Sequence, residues 1–428
     1  MSSLAASIIV LNYNGQEHLG PCLESVARDG WPSADVEVLL VDNGSSDRSK
    51  QIVTGEFPRV RFVEAGSNLG FAAGIRFGAL RSTGRTLVFL NNDTRVQKGW
   101  LRALLDALEN APPEVASVAG RITSWDEKRI DFRDAVITFD GHAFQRDFGR
   151  PVESVVDEPP GEERVIPCGG NMAIRRDDFL SSGGFDDDFF AYLEDVDLGL
   201  RLRSQGRSIV YEPRARIFHR SGATGTALGI YNRGFLIEKN AFSVFYKNFD
   251  DGALRAWFPA VLLTLIHRTE RIARERARGG DLLTIDPYRN HSSGVDLMSA
   301  VRAGETILQK VQRLGVRRSL VRGLEKAFGL AAVAAVAVEA DFVADPHTLS
   351  QLRALHRIAV DLPVLDQKRK AGERLRKVTS REIFSRWPLA IVPTYPGDED
   401  LFESVPFGEL VPGDFPHLKA RLGDIMQV

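Results

Sequence analysis

The chain has 428 residues, 43% hydrophobic and 26% charged, with a net charge of −2 at neutral pH. This balance is ordinary for a globular protein long enough for two domains, and without a basic excess it argues against a general nucleic-acid binder. The two cysteines, Cys22 and Cys168, are too few for a disulfide framework or a zinc site, so they read as packing residues in a reducing cytoplasm.

The first residues, MSSLAASIIVLNYNG, carry no basic leader region, and their apolar run is short, so they read as a first strand rather than a signal peptide. Apolar runs at 7–11, 36–41, 60–63 and 86–90 alternate with stretches of helical spacing at 18–27, 48–57 and 71–80. That interval predicts βαβ units and a mostly parallel sheet, whose ligands bind beyond the carboxyl ends of the strands. Three polar loops stand at those ends: Asn12-Tyr13-Asn14-Gly15, Asp42-Asn43-Gly44-Ser45 and Asn91-Asn92-Asp93.

A helix is predicted over 100–110, stopped by Ala111-Pro112-Pro113. The stretch 125–160 has little periodicity and reads as a variable insertion or irregular strands. Regular signals resume at 164–167, pass through Gly169-Gly170 and continue in a strand over 171–174. Strand-like runs at 209–211 and 216–218 lead to His219. Beyond about residue 250 the spacing is helical, including 264–278 and 294–313, and the end, 388–415, reads as proline-rich and loop-like. The longest apolar runs, 256–266 and 327–338, are too short to span a bilayer.

Between Phe185 and Arg201 the chain reads FDDDFFAYLEDVDLGLR. Carboxylates among aromatic side chains that seek burial belong at a pocket wall, where a carboxylate becomes a source of acid or base chemistry. The competing reading is a helix start, with Glu194 and Asp195 complementing the dipole ahead of Val196, Leu198 and Leu200. Asp197 and Arg201, four apart, are spaced to pair on that helix. At the strand ends, Asp42 could accept from a nucleobase, or be a plain Asp-Asn-Gly turn. Asp93 suits a hard divalent cation, or an Asx turn with Thr94. His219 could ligate a metal or be a structural histidine. Asn68 sits in GSNLGFAAG, whose glycines match no dinucleotide or phosphate-loop fingerprint.

In order and spacing, SIIVLNYNG, VDNGSSD, NLGFAAG, FLNNDT, CGGNMAIRR, the acidic stretch and FHRSGA resemble the family 2 glycosyltransferases, especially bacterial rhamnosyltransferase-like members. The resemblance covers roughly residues 7–248. It implies an α/β GT-A fold, a Rossmann-like nucleotide-diphospho-sugar domain over 1–248, with a mainly helical C-terminal extension over 249–428. It implies an inverting transfer of rhamnose or a similar hexose from a nucleotide-diphosphate donor. The acceptor would be a saccharide or lipid-linked saccharide in cell-envelope polysaccharide synthesis. The alternative is a non-catalytic scaffold of the same fold.

By this resemblance Asp195 is the base, with Glu194 as runner-up. Asn12, Tyr13, Asn14, Asp42, Asn68, Asn91 and Asn92 line the nucleotide-sugar side. Asn91 and Asp93 take the first and last places of the family's DXD motif, the first acid being replaced here by an amide. Asp93 and His219 hold Mg²⁺ or Mn²⁺, and Gly170, Asn171, Asp186 and Tyr192 face the acceptor. The apolar run 256–266 followed by Arg268, Arg271, Arg274, Arg276 and Arg278 suits either an internal helix or one lying on an anionic membrane surface, which would put a cytoplasmic protein on the inner face of the membrane.

Overall fold

The computed structural model describes residues 4–30, 35–220, 223–277, 346–395 and 397–427. The expected helix at 294–313, the alanine-valine run at 327–338, Arg278, and the side chains of Arg274 and Arg276 lie outside the described residues.

Four parallel strands form one half of the central sheet: β1 (Ala6–Asn12), β2 (Val36–Asp42), β3 (Arg61–Glu64) and β4 (Thr86–Asn91). Between them run α1 (Gln16–Arg28), α2 (Ser49–Glu56) and α3 (Gly70–Arg81). Ile8, Ile9 and Val10 are fully buried, as both faces of β1 are covered, which is why the strand reads as a continuous apolar run rather than an alternation. Small residues let α3 lie close. A Cβ on Gly74 would stand 2.6 Å from Leu11, and one on Gly78 2.7 Å from Val41.

The other half contains β5 (Thr94–Val96), β6 (Val115–Ser124), β7 (Ile130–Phe132), β10 (Asn171–Arg175) and β11 (Ser208–His219). The order is β3-β2-β1-β4-β10-β6-β11-β5, with β7 beside β6. β10 is antiparallel to β4 and β6, and β11 is parallel to β6, so the sheet is mixed. α4 (Trp100–Glu109) buries Trp100, Leu104 and Leu108, one face of a helix, against it. The short strands β8 (Ala135–Ile137) and β9 (Ala143–Gln145) pair as a hairpin inside 125–160, which fits the reading of irregular strands.

α5 (Arg176–Ser181) and α6 (Glu194–Ser204) flank the acidic aromatic loop. α7 (Ala223–Asn248), α8 (Asp251–Ala277) and α9 (Pro346–Leu375) follow. The C-terminal residues 388–415 are not loop-like. Strands β12 (Leu389–Ile391) and β13 (His417–Lys419) pair in parallel, and helices Asp398–Glu403 and Val405–Leu410 lie between them. Pro406 falls in the first turn of its helix, where its missing N–H is no loss, so proline there marks a start and not a break. Ala390 bridges to Thr138, and Phe402, Phe407 and Phe415 join the same buried apolar cluster as β1 and β4. Among the described residues no helix is long and apolar enough to cross a membrane.

Register gathers the polar strand ends. Asn12 lies beside Asp42, Leu11 beside Asn91, and Asn171 opposite Leu90, so the Gly169-Gly170 turn reaches the same edge. His219, at the end of β11, pairs with Thr94 and Ser124.

Candidate active site

The ends of β1, β2 and β4 are knitted by side-chain amides. Asn92 donates to Asn12 Oδ1 (2.7 Å), and Asn12 Nδ2 donates to Ser45 Oγ (3.2 Å). Asn14, at φ 49°, accepts from the Ser46 N–H (2.8 Å), and its own N–H donates to Ser45 Oγ (2.9 Å). A Cβ on Gly15 would stand 2.3 Å from the Asn92 amide and 2.6 Å from Asn12 Oδ1, so a side chain there would displace the hydrogen bond between those two residues. Tyr13 is exposed at the rim.

Asp42 is buried, with Oδ2 accepting the Ser45 N–H (3.1 Å) while Oδ1 is buried without a partner. A buried carboxylate oxygen left unsatisfied is costly, and a ligand N–H would satisfy it. Asn68 Oδ1 accepts from the Gly70 N–H (2.9 Å) and from Asn43 Nδ2 (3.0 Å), and Asn43 Oδ1 takes the Leu69 N–H (2.9 Å). Asn68 therefore shapes the entry to α3. Asn43, passed over in the sequence although it stands in the VDNGSSD motif, ties that entry to the end of β2.

Asp93 is buried, its Oδ1 3.2 Å from His219 Nε2, and His219 Nδ1 lies 2.9 Å from Asp131 Oδ2. Burial works to raise the Asp93 carboxyl, but the His219 ring brings it below the ordinary carboxylate range. Burial disfavours the imidazolium, yet the charges of Asp93 and Asp131 hold the His219 pKa well above the usual histidine value. Asp131, in the aperiodic stretch, carried no sequence signal.

Among the described residues no group of three His, Cys, Asp or Glu side chains is arranged to hold a metal. Asp93 and His219 nonetheless fit as two neighbouring ligands, because octahedral Mg²⁺ bonds of about 2.1 Å place adjacent donors roughly 3 Å apart. A carboxylate behind the histidine is the usual support of such a ligand. Substrate oxygens and water would complete the shell.

The acidic stretch buries Phe185 and Phe189, with Phe185 packed against Phe89 and Phe179 at ring separations of 5.5 Å. Phe190, Tyr192 and Leu193 then take φ values of 64°, 72° and 65°. Each costs about 1–3 kcal/mol for a side chain with a Cβ, and such strain concentrates at functional sites. α6 starts directly after.

Asp195 is half-buried, with Oδ2 accepting the Gly169 N–H (3.1 Å) and Oδ1 the Val196 N–H (2.8 Å). Burial raises its pKa, and the backbone donors offset part of that. Glu194 is buried with Oε2 unpartnered, and burial together with the charge of Asp195 pushes its pKa well above the ordinary value. Two adjacent acids thus differ in kind: one aimed and half-open, the other buried and inclined to keep its proton. Asp197 is fully buried and pairs with Arg201 (2.9 Å) as spaced for, and also with Lys247 (2.9 Å).

Asp186 caps the short turn after it by accepting the Asp188 N–H (3.1 Å) and pairs with Lys247 and Lys368. Burial opposes that charge, but the two ammonium groups hold its carboxyl well below the ordinary range. Tyr192 is half-buried beside Arg233. Gly170 lets β10 approach β4, since a Cβ there would stand 2.9 Å from the Asn91 amide.

Asn171 does not face the acceptor side. It is fully buried, accepts from Trp100 Nε1 (2.8 Å) and donates to the carbonyls of Arg121 (3.0 Å) and Ala215 (2.9 Å), so its amide is spent inside the sheet. Both thiols are free, and Cys168 is only half-buried. Burial pushes Cys22 up to about 12 and Cys168 well above its usual value, so neither is a ready nucleophile.

A mixed sheet whose polar strand ends gather beside an aimed carboxylate is the arrangement expected of a GT-A glycosyltransferase. Residues 7–180 match the family model described as glycosyl transferase family 2. The chain is 28% identical over 231 residues to the N-acetylglucosaminyl-diphospho-decaprenol L-rhamnosyltransferase of Mycobacterium tuberculosis, covering 50% of this chain and 75% of that relative. It is 28% identical over 214 residues to the O-antigen biosynthesis protein RfbC of Myxococcus xanthus, covering 48% of this chain and 16% of that one. A mannosyltransferase of Pyrobaculum calidifontis, solved with GDP-Man and Mn²⁺, aligns over 84% of this chain and 88% of its own, at 15% identity and a TM-score of 0.45.

Proposed function

We propose that the protein is an inverting glycosyltransferase that moves rhamnose or a similar hexose from a nucleotide-diphosphate donor to a saccharide or lipid-linked saccharide acceptor in cell-envelope polysaccharide synthesis. Catalysis belongs to residues 1–248, and the described part of the extension, α8, α9 and the residues that carry β12 and β13, adds apolar side chains to the same buried cluster. The observation that carries the reading is Asp195, a half-open carboxylate whose two oxygens are fixed by the Gly169 and Val196 N–H groups.

On the donor side, the unpartnered Oδ1 of Asp42 accepts a base N–H, while Asn12, Tyr13, Asn14, Asn91 and Asn92 border the ribose and diphosphate. The neutral Asn91 in the first DXD place contributes a hydrogen bond and no charge. Asp93 and His219 would hold Mg²⁺ or Mn²⁺, which when bound neutralises charge on the departing diphosphate. On the acceptor side Asp195 takes the hydroxyl proton as that oxygen bonds to the anomeric carbon. The carbon–oxygen bond to the diphosphate breaks on the opposite face, its electron pair leaving with the nucleotide, so configuration inverts.

Contact with a membrane surface, where a lipid-linked acceptor would reside, is supported by the apolar part of α8, whereas Arg268 is buried in ion pairs with Asp140 and Asp398 and drops out of the expected basic face. Phe258, Leu262 and Ile266, spaced four apart on one face, are 37%, 44% and 57% exposed. Flotation with anionic vesicles tests that contact, and no binding at low salt rejects it.

The function is tested by a thermal-shift panel of nucleoside diphosphates and nucleotide sugars, with and without Mn²⁺, followed by donor turnover in Asp195→Asn. The expected outcome is a metal-dependent shift for one base class, and turnover that collapses while nucleotide affinity survives. No response to any nucleotide, or undiminished turnover in the variant, rejects the reading.

A further inference from the structure

The geometry points to Asn240, with Lys247 and Lys368, as positioning residues that hold the loop 186–193 in its left-handed course and so aim the Asp195 carboxylate. This rests on the reading of Asp195 as base.

Three of the four residues from Phe190 to Leu193 have positive φ, and none is glycine. Such a course is not favoured by the loop's own sequence, so it must be held from outside. Asn240, fully buried on α7, supplies the hold. Its Nδ2 lies 3.0 Å from the carbonyl of Phe189, 2.9 Å from that of Ala191 and 2.7 Å from that of Tyr192. Phe190, the one remaining residue of that run, turns its carbonyl the other way and accepts the N–H groups of Phe71 (2.5 Å) and Ala72 (3.1 Å) at the start of α3. The loop is thus pinned on both sides, by a helix start and by a side-chain amide.

The cost of this arrangement is visible. Asn240 Oδ1 is buried with no partner, so the residue loses one hydrogen bond to deliver its amide nitrogen to three acceptors. A side chain that served only packing would not carry that penalty.

The lysines extend the brace to the helix that bears the base. Lys247, also on α7, pairs with Asp186 in the loop and with Asp197 in α6, two residues beyond Asp195. Lys368, on α9, pairs with Asp186 and Asp188 (2.6 Å to the latter). Lys239 donates to the Asp188 carbonyl. Since α9 lies in the C-terminal extension, that extension takes part in setting the catalytic loop.

The test uses the full chain and the nucleotide-sugar donor selected by the thermal-shift panel, following nucleoside diphosphate release. Asn240→Ala is expected to lower kcat on the order of 10²-fold, the scale of a misplaced catalytic group, with donor KM and nucleoside diphosphate affinity within about twofold of wild type. In an Asp195→Asn background the same substitution is expected to add no further loss, because the two act through one carboxylate. Hydrogen exchange in residues 186–193 should rise in Asn240→Ala and stay unchanged in Asp195→Asn.

An unchanged kcat, an equal loss in both backgrounds, or a loss of nucleotide affinity in place of kcat would overturn the proposal. Wild-type turnover in Asp195→Asn alone would instead sink the base reading, and the aiming role with it. Should Asn240→Ala fail to fold by circular dichroism, Lys368→Ala decides by the same comparison, with an expected loss on the order of tenfold because two other contacts remain.

Discussion

The imidazole of His219 stands between two carboxylates, Nε2 3.2 Å from Asp93 and Nδ1 2.9 Å from Asp131. Without metal the two carboxylates favour the imidazolium, protonated on both nitrogens, and a cation taking the place of the Nε2 proton would leave Asp131 holding the ring by its Nδ1–H. Replacing Asp131 by Asn keeps the shape and removes the charge. We expect Asp131→Asn to raise the Mn²⁺ concentration for half-maximal activity by roughly 10–100-fold, the usual cost of losing a carboxylate behind a metal-binding histidine. Excess metal should restore most of the rate. A metal titration of donor turnover checks this, and an unchanged midpoint would separate Asp131 from metal binding.

Glu194 and Asp195 are neighbours with opposite prospects. Glu194 is buried, has an unpartnered oxygen and has a pKa pushed well above the ordinary value, first by burial. Its folded state binds the proton more tightly than the unfolded chain, so its contribution to stability falls as pH rises above the unfolded value of about 4.3. Glu194→Gln mimics the protonated form. It is expected to retain kcat within a few-fold and to keep or raise Tm by about 2–4 °C near neutral pH, where a buried charge is no longer at stake. A rate loss as deep as that of Asp195→Asn would transfer the base role to Glu194.

The first half of the sheet was legible because both faces of its strands are covered, which makes the runs uniformly apolar, and because the chain turns polar where it leaves the core at Asn12, Asp42 and Asn91. Residues whose roles depend on distant partners were not. Asp131 meets His219 across 88 positions, and Asn240 meets the Tyr192 carbonyl across 48, and nothing local distinguishes either. Asn171 misled for the opposite reason. A polar residue after two glycines at a strand start looks open, yet its amide is consumed by Trp100 and two carbonyls. The C-terminal strands are three residues long, too short for any period to show.

Gly70 sits where α3 meets the strained loop, at φ +81°, and a Cβ there would stand 2.5 Å from both the ring and the carbonyl oxygen of Phe190. Gly70→Ala is strained by its own backbone and by a contact that carbonyl geometry cannot yield. A destabilisation of about 2–4 kcal/mol is expected, from the left-handed penalty plus overpacking. Turnover should fall more than thermal stability would explain, because Phe190 is the loop's anchor to α3. Urea unfolding and kcat measured on the same preparation check this, and a variant of wild-type stability would contradict the tight approach.

His142 offers a stability effect away from the cleft. It is fully enclosed, 3.1 Å from Asp140 and 3.3 Å from Glu238, in a network where Arg268 joins Asp140 to Asp398 of the C-terminal segment. Burial disfavours its charge, but the two carboxylates prevail and raise it to about 9. The folded value lies above the unfolded one of about 6.5, so the stabilisation is fully present below pH 6.5 and is lost as pH rises through 9. At 1.36 kcal/mol per unit the difference amounts to roughly 3 kcal/mol. Urea unfolding should therefore show stability declining between pH 6.5 and 9.5. His142→Gln should be less stable at pH 6.5 by about 3–5 kcal/mol, since Asp140 and Glu238 lose a buried counter-charge, and its decline across the same interval should be shallower, with the remainder left to His219, whose pKa Asp93 and Asp131 also raise. A wild-type slope preserved in the variant would place the titration elsewhere. The slope should also appear when the docking of the C-terminal segment is followed by limited proteolysis, because Arg268 and Asp398 belong to the same buried network.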